Sequence, residues 1–444
     1  MNRYLHWFLS LHLLFGAEVL VHAQYARTAS LVKSFTATTD LSHFSTISSS
    51  GTPRLFFIRK DGPLGTGELW WTDGAGTTKQ VTLASGSVVA AKGSSKYIYF
   101  LTADRKLFRI DDLVKPVELP VSSSGTIDLG WAAEANGKLF FKVAGTSKVE
   151  LWTTDGTAAN TKSVKVLMSG DDFDAQGSPP VGNAVALPNG KVYFCNRNVP
   201  MGTEVWVSNG TSVGTAALKD VVVGSGASNP INLQVAGSKL FFTADKRVWT
   251  SDGTTAGTIA LSATDVSSTT NKADHFVAQD QGIYFAAQWS ENGFGWADRN
   301  LRFWNGTSYF TPTGKHQAPH DLVSFVSDIC FIAGANSTQI LRVVGHNVTP
   351  WVLAEEASPA TRLMLLGRKL FYLVKSPNGT QYKMMYLDPE VNPRVRLVVQ
   401  PTTAPVEYAI APKTGAANNL LIVGSTLYFA ANYTGNGTCL YKTW

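Results

Sequence analysis

The sequence predicts an all-β fold: a β-propeller of eight or nine four-stranded blades, its ring closed by an N-terminal strand that joins the last blade. Three observations predict it. A phrase recurs along the chain: ELWWTDG at 68–74, ELWTTDGT at 150–157, EVWVSNGT at 204–211, VWTSDGT at 248–254 and FWNGT at 303–307. Upstream of each copy lies a short apolar run ending in paired aromatics: RLFF at 54–57, KLFF at 138–141, KVYF at 191–194, KLFF at 239–242 and GIYF at 282–285. Self-similarity at a period of tens of residues marks a fold made by repeating one supersecondary unit. The composition agrees, with 16% charged and 11% aromatic residues and abundant Gly, Ser and Thr. Such a chain suits short strands and tight turns better than helices.

The elements follow in order. Residues 1–23 read as a secretory signal peptide. Arg3 gives a positive start, an apolar stretch runs from 5 to 21, and Val21-His22-Ala23 forms a small-x-small cleavage pattern before Gln24. Glu18 interrupts the apolar run, short of the roughly 20 residues that a spanning helix needs. The mature chain, 24–444, reads as a single exported propeller domain with no membrane span after signal cleavage. Within it the aromatic strand recurs at 55–58, 97–100, 139–141, 192–194, 240–242, 283–285, 329–331, 370–372 and 427–429. Each unit parses alike: a strand, a turn, the aromatic strand, a link, the Trp strand, a D-G or N-G turn and a last strand. Gly supplies the positive φ that such a turn needs. The Trp strand is degenerate at 106–109, 340–342 and 384–386.

Successive strand residues point to opposite faces, so paired aromatics demand cover on both sides. Stacked blades provide it. The chain stops just after a Trp-type strand, while 29–35 (ASLVKSF) resembles a final strand. The first strand is therefore expected to complete the last blade, removing exposed sheet edges.

The ELWxxDGTxxGT phrase resembles that of the ELWxxDGT-repeat proteins, mostly long exported bacterial chains. It is clearest at 150–157, at 204–215 with its trailing Gly214-Thr215, and at 248–258 with Gly257-Thr258. The link KDGPLGTGE at 60–68 is similar to the family's stretch between aromatic and Trp strands. The resemblance implies a β-propeller and export. It implies no catalytic residues.

The net charge of +6 comes without a block of Lys or Arg, so no nucleic-acid partner is expected. An extracellular polysaccharide or matrix component fits a mild positive excess. Cys195, Cys330 and Cys439 are too few and too scattered for a disulfide scaffold. They read as thiols filling core sites.

The DGT turns offer one oxygen ligand each and read as Asx turns rather than calcium loops. The segment DFDAQG at 172–177 comes nearest to a metal loop, but its twelfth position is Asn183 rather than Glu. His316 and His320 in HQAPH have no third ligand nearby in sequence and read as a solvated loop. No metal and no cofactor are expected, for the chain has neither a P-loop nor a dinucleotide-binding glycine pattern. There is no G-x-S-x-G motif, and no catalytic residue is assigned. Trp70, Trp152, Trp206, Trp249 and Trp304 hold fixed repeat positions and read as packing between blades.

Trp289, Glu291, Trp296, Asp298 and Arg299 lie off the repeat pattern in a long link, 288–300, and are the candidate ligand-binding residues. Asn209, Asn305, Asn336, Asn347, Asn378, Asn432 and Asn436 begin N-x-S/T sequons, glycosylation sites in a eukaryotic secretory pathway. The expected function is a secreted, non-enzymatic binding or structural propeller of the cell surface or extracellular matrix, with carbohydrate as one candidate ligand. The alternative is an extracellular carbohydrate-active hydrolase or lyase with acidic residues at the central channel.

Overall fold

The computed structural model describes residues 27–443, apart from 37, 48–52, 84–85, 112–114, 171–181, 262–272, 280–281, 288–298, 311–317, 327, 335, 345–349, 377–381, 390–391, 400–409, 411–417 and 433–437. The described residues form strands and turns with no helix. Nine antiparallel four-stranded blades form a ring, a β-propeller. In chain order the blades span 39–80, 88–119, 126–169, 185–217, 231–260, 274–310, 320–355 and 360–399, and blade 9 spans 420–443. The eight-or-nine count resolves to nine because every aromatic strand, degenerate units included, is the second strand of a blade.

Closure takes the expected form. Ser30–Ser34 pairs antiparallel with Thr438–Thr443 and is the outermost strand of blade 9. Arg27–Thr28 adds a fifth, parallel strand to blade 8 beside Val398 and Val399. The innermost strands lie against one another in order from blade 1 to blade 8, and that of blade 9 lies against blade 1.

Paired aromatics explain the stacking. In each second strand one large residue enters the seam with the preceding blade and its neighbour enters the next. Phe57 packs with Tyr428 of blade 9, while Phe56 packs with Phe100 of blade 2. Phe141 meets Tyr99 behind it, and Phe140 meets Phe194 ahead. Phe242 meets Tyr193, and Phe241 meets Phe285. Nine such clusters fill the nine seams. Burying each such side chain contributes about 1.5–3 kcal/mol.

The ELW phrase follows the same logic. Leu69, Leu151, Val205 and Val248 point to the following seam. The tryptophans point to the preceding one. Trp152, Trp206 and Trp249 are buried, so the repeated Trp is packing rather than a sugar platform. The Glu is a hydrogen-bond acceptor near the seam. Glu204 accepts from Ser228 N at 3.1 Å and Ser228 Oγ at 2.6 Å, and Glu68 from Trp70 Nε1 at 2.9 Å.

The DGT turn locks one blade to its neighbour. Asp155 Oδ1 accepts from Thr157 N at 2.9 Å, Asn209 Oδ1 from Thr211 N at 3.0 Å, and Asp252 Oδ1 from Thr254 N at 2.9 Å. These are the expected Asx turns. A cation of the preceding blade then reaches the turn carbonyls. Lys165 Nζ donates to Thr215 O at 2.8 Å, Lys219 Nζ to Thr258 O at 2.7 Å and Arg109 Nε to Gly156 O at 3.1 Å. Gly156 takes a positive φ of 89°, and a Cβ there would lie 2.4 Å from the Tyr97 ring. Gly306 has a φ of 103° but open space around it.

Gly156→Ala is therefore expected to cost about 1–3 kcal/mol more than Gly306→Ala, since it adds a clash to a shared backbone strain. Urea denaturation of both variants measures this, and equal losses would mean that the turn does not press on the neighbouring blade.

Candidate functional site

The innermost strands line the channel, and on seven of the nine blades the pairing of that strand is interrupted at one place. Five of them carry a β-bulge of the same form, in which two residues face one. The breaks fall between Ser42 and Ser45, Ile231 and Gln234, Asp274 and Val277, His320 and Val323, and Thr361 and Met364. The first residue of each bulge has left-handed φ: His43 54°, Asn232 55°, His275 54°, Asp321 49° and Arg362 60°. Asn, Asp and His tolerate that conformation better than other side chains. The residue that follows, Phe44, Leu233, Phe276, Leu322 or Leu363, turns into the preceding seam. A bulge thus aims a polar side chain away from the seam and an apolar one into it.

On blades 6, 7 and 8 these bulge residues gather into one polar cluster. His320 Nδ1 lies 3.0 Å from Asp321 Oδ2. The same oxygen accepts from Arg362 N at 2.9 Å and from Thr361 Oγ1 at 3.3 Å on the next blade. His275 Nε2 is 3.7 Å from Asp274 Oδ1, and Asp274 is also ion-paired with Arg299. Neither carboxylate is idle. The Arg362 guanidinium, half-buried, has no partner among the described residues.

Burial holds the His275 imidazole below its ordinary value of 6.5, Asp321 pulling against this and His320 adding to it. For Asp321 the cost of burial is outweighed by the His320 and Arg362 hydrogen bonds, so its pKa sits below the ordinary 3.8. The cluster can accept and donate hydrogen bonds and hold an anion beside Arg362. Among the described residues no group of His, Cys, Asp and Glu could hold a metal ion.

Of the candidate ligand residues, Arg299 is placed: it is ion-paired with Asp274 at the start of an innermost strand. Trp289, Glu291, Trp296 and Asp298 lie outside the described residues, as do the 172–177 segment and His316. His320 is not in a loop. It opens the innermost strand His320–Phe325 and is half-buried, because the strand begins directly after Pro319 and the bulge turns it toward Asp321. Four sequon asparagines, Asn209, Asn305, Asn336 and Asn432, are exposed, while Asn347, Asn378 and Asn436 are outside the described residues. Cys195, Cys330 and Cys439 form no disulfide. Burial pushes the Cys195 and Cys330 thiols up to about 12, which leaves them inert.

Asp274, His275, Asp321 and Arg362 escaped the sequence reading. One signal for them exists. Asn232-Leu233, His275-Phe276, Asp321-Leu322 and Arg362-Leu363 recur at one fixed distance ahead of Phe241, Tyr284, Cys330 and Phe371.

No protein-family model and no curated protein matches the chain at a significant level. Solved structures do. The tricorn protease is 10% identical, with 87% of this chain and 42% of that one covered and a TM-score of 0.42. The chain thus spans less than half of that protein. A prolyl endopeptidase is 13% identical over 89% of this chain and 55% of that one, with a TM-score of 0.45. BamB from Moraxella catarrhalis is 12% identical over 94% of this chain and 100% of that one, with a TM-score of 0.40.

A histidine whose folded pKa lies below its unfolded one leaves the folded state short of a proton. Its contribution to stability is complete above pH 6.5 and is lost as pH falls below that. That of Asp321 persists above 3.8 and is lost as pH falls through its lower folded value. Melting temperature is therefore expected to fall between pH 7 and 5 in the parent and to fall less in His275→Asn, which keeps a residue suited to the left-handed bulge. An identical slope in the two proteins would remove His275 from the account.

Proposed function

We propose that this chain is an exported, non-enzymatic recognition propeller of the cell surface or extracellular matrix, holding an acidic polysaccharide or matrix component at its channel. One observation carries the reading. At the cluster on blades 6–8 the carboxylates are committed to neighbours, whereas the Arg362 guanidinium has no partner among the described residues. A site so arranged offers a cation and several hydrogen-bonding groups to a ligand, and keeps its acids occupied. Arg299, near the end of the 288–300 link that in sequence also carries Trp289, Glu291, Trp296 and Asp298, is ion-paired with Asp274 of this cluster. Aromatics on such a link suit stacking against sugar rings. The net charge, the signal-like N-terminus and the ELWxxDGT resemblance support export and an anionic partner.

A second reading, an extracellular carbohydrate-active hydrolase or lyase, is favoured by a different feature of the same cluster. Two imidazoles and the Asp321 carboxylate stand together, and a neutral His275 is a proton acceptor.

Residues 24–444 should co-sediment with insoluble acidic polysaccharide, less so with neutral polysaccharide, and more weakly as salt rises. Arg362→Gln is expected to weaken this about tenfold, the loss of one charge-assisted contact. Assay of the supernatant for reducing ends or unsaturated uronates decides the chemistry: released sugar would replace the recognition reading with the enzymatic one.

A further inference from the structure

The channel holds a second feature, built by other blades. A cavity of about 370 Å³ opens among the innermost strands of blades 9, 1, 2 and 3, lined by Phe44, Thr46, Lys92, Ser94, Glu134 and Asn418, among others. Its volume falls in the range of small-molecule sites, about 300–1,000 Å³. On blades 2 and 3 its residues come from the later part of the innermost strands, beyond the break in register, and on blade 1 they run from the bulge residue Phe44 onward. The cluster on blades 6–8 sits at strand starts. Innermost strands share one direction because every blade repeats one connectivity, so the cavity extends further along that direction than the cluster does.

The polar groups divide into occupied and unoccupied. Glu134 accepts from Ser95 N at 2.6 Å and from Ser95 Oγ, with lone pairs to spare. Asn418 O is taken by Phe44 N at 3.1 Å. Ser94 Oγ donates to Tyr97 O at 2.9 Å. Lys92 differs: it is half-buried and makes no hydrogen bond or ion pair among the described residues, with the Asp128 carboxylate the charge felt at a distance. Gly93 beside it fixes the cavity wall, since a Cβ there would lie 2.4 Å from Thr46 O.

A half-buried ammonium with no partner calls for an anion. The Glu134 oxygens call for hydroxyl donors, and the Phe44 edge gives an apolar floor. We propose that this cavity binds an acidic sugar residue, its carboxylate on Lys92 and a hydroxyl on Glu134. The choice of a saccharide rests on the recognition reading above.

The test is calorimetric titration of the whole mature chain, residues 24–444, with trigalacturonate and with its neutral methyl ester. The parent should bind the acid and not the ester. Lys92→Met, of similar length and apolar, should weaken binding by about tenfold or more, while Lys92→Arg should keep most of it. Matching cooperative melts would show that the variants fold. Lys92→Met binding as the parent does would overturn the site, and Arg362→Gln losing affinity in that case would leave the recognition reading standing. Equal binding of acid and ester would overturn the acidic class. Failure of the parent to bind either sugar, together with failure to sediment with any polysaccharide, would overturn both readings.

Discussion

Each blade carries bulky side chains on both of its faces, and both must be kept from water. A sheet that is apolar on two sides is unstable alone. It becomes stable only between two others, and those only between two more. The series ends when the ring closes. The cluster joining blade 9 to blade 1, with Leu41, Phe57, Tyr428 and Leu440, is therefore as necessary as any seam between sequence neighbours. The DGT turn, its cation from the preceding blade and the Asx bonds are secondary fasteners at the rims of seams that the aromatics define.

The same constraint shapes the channel. An innermost strand has to present apolar groups to a seam while its edge faces the central space. The bulge reconciles these needs by giving the strand one extra residue. The residue in left-handed conformation is released from the seam, and its identity is free to vary: His43, Asn232, His275, Asp321 and Arg362 occupy equivalent places. Architecture thus supplies a ring of positions, and sequence decides which of them carry charge. On blades 7 and 8 the occupants touch, Asp321 accepting from the Arg362 backbone N–H.

Most of the fold was legible because seam packing repeats in the sequence with the blade. Phe56-Phe57, Phe140-Phe141 and Phe241-Phe242 announce two faces each, and the degenerate third strands did not hide blades 2, 7 and 8, since their second strands keep the pattern. The Asx turns were legible for the same reason. The channel cluster was not, because its members come from three blades and meet only through ring geometry. His320, read as a loop residue from the Pro319 beside it, belongs to a strand whose first residue follows that proline. Lys92 was silent too: no local pattern separates a lysine lacking a partner from one on the solvent side.

The outermost strand of blade 9 comes from the other end of the chain. Thr438 reaches back to Thr39 O and Phe35 N, residues almost four hundred positions earlier. Local hairpins can form as soon as their strands exist, but this pairing has the highest contact order in the molecule and waits for the whole ring. Until then Ser30–Ser34 is an unpaired strand with Leu31 and Val32 in its middle. The closing step is thus a kinetic vulnerability. A chain delayed before its last blade presents a strand edge and an open seam at once, and both invite pairing with a second unfinished copy.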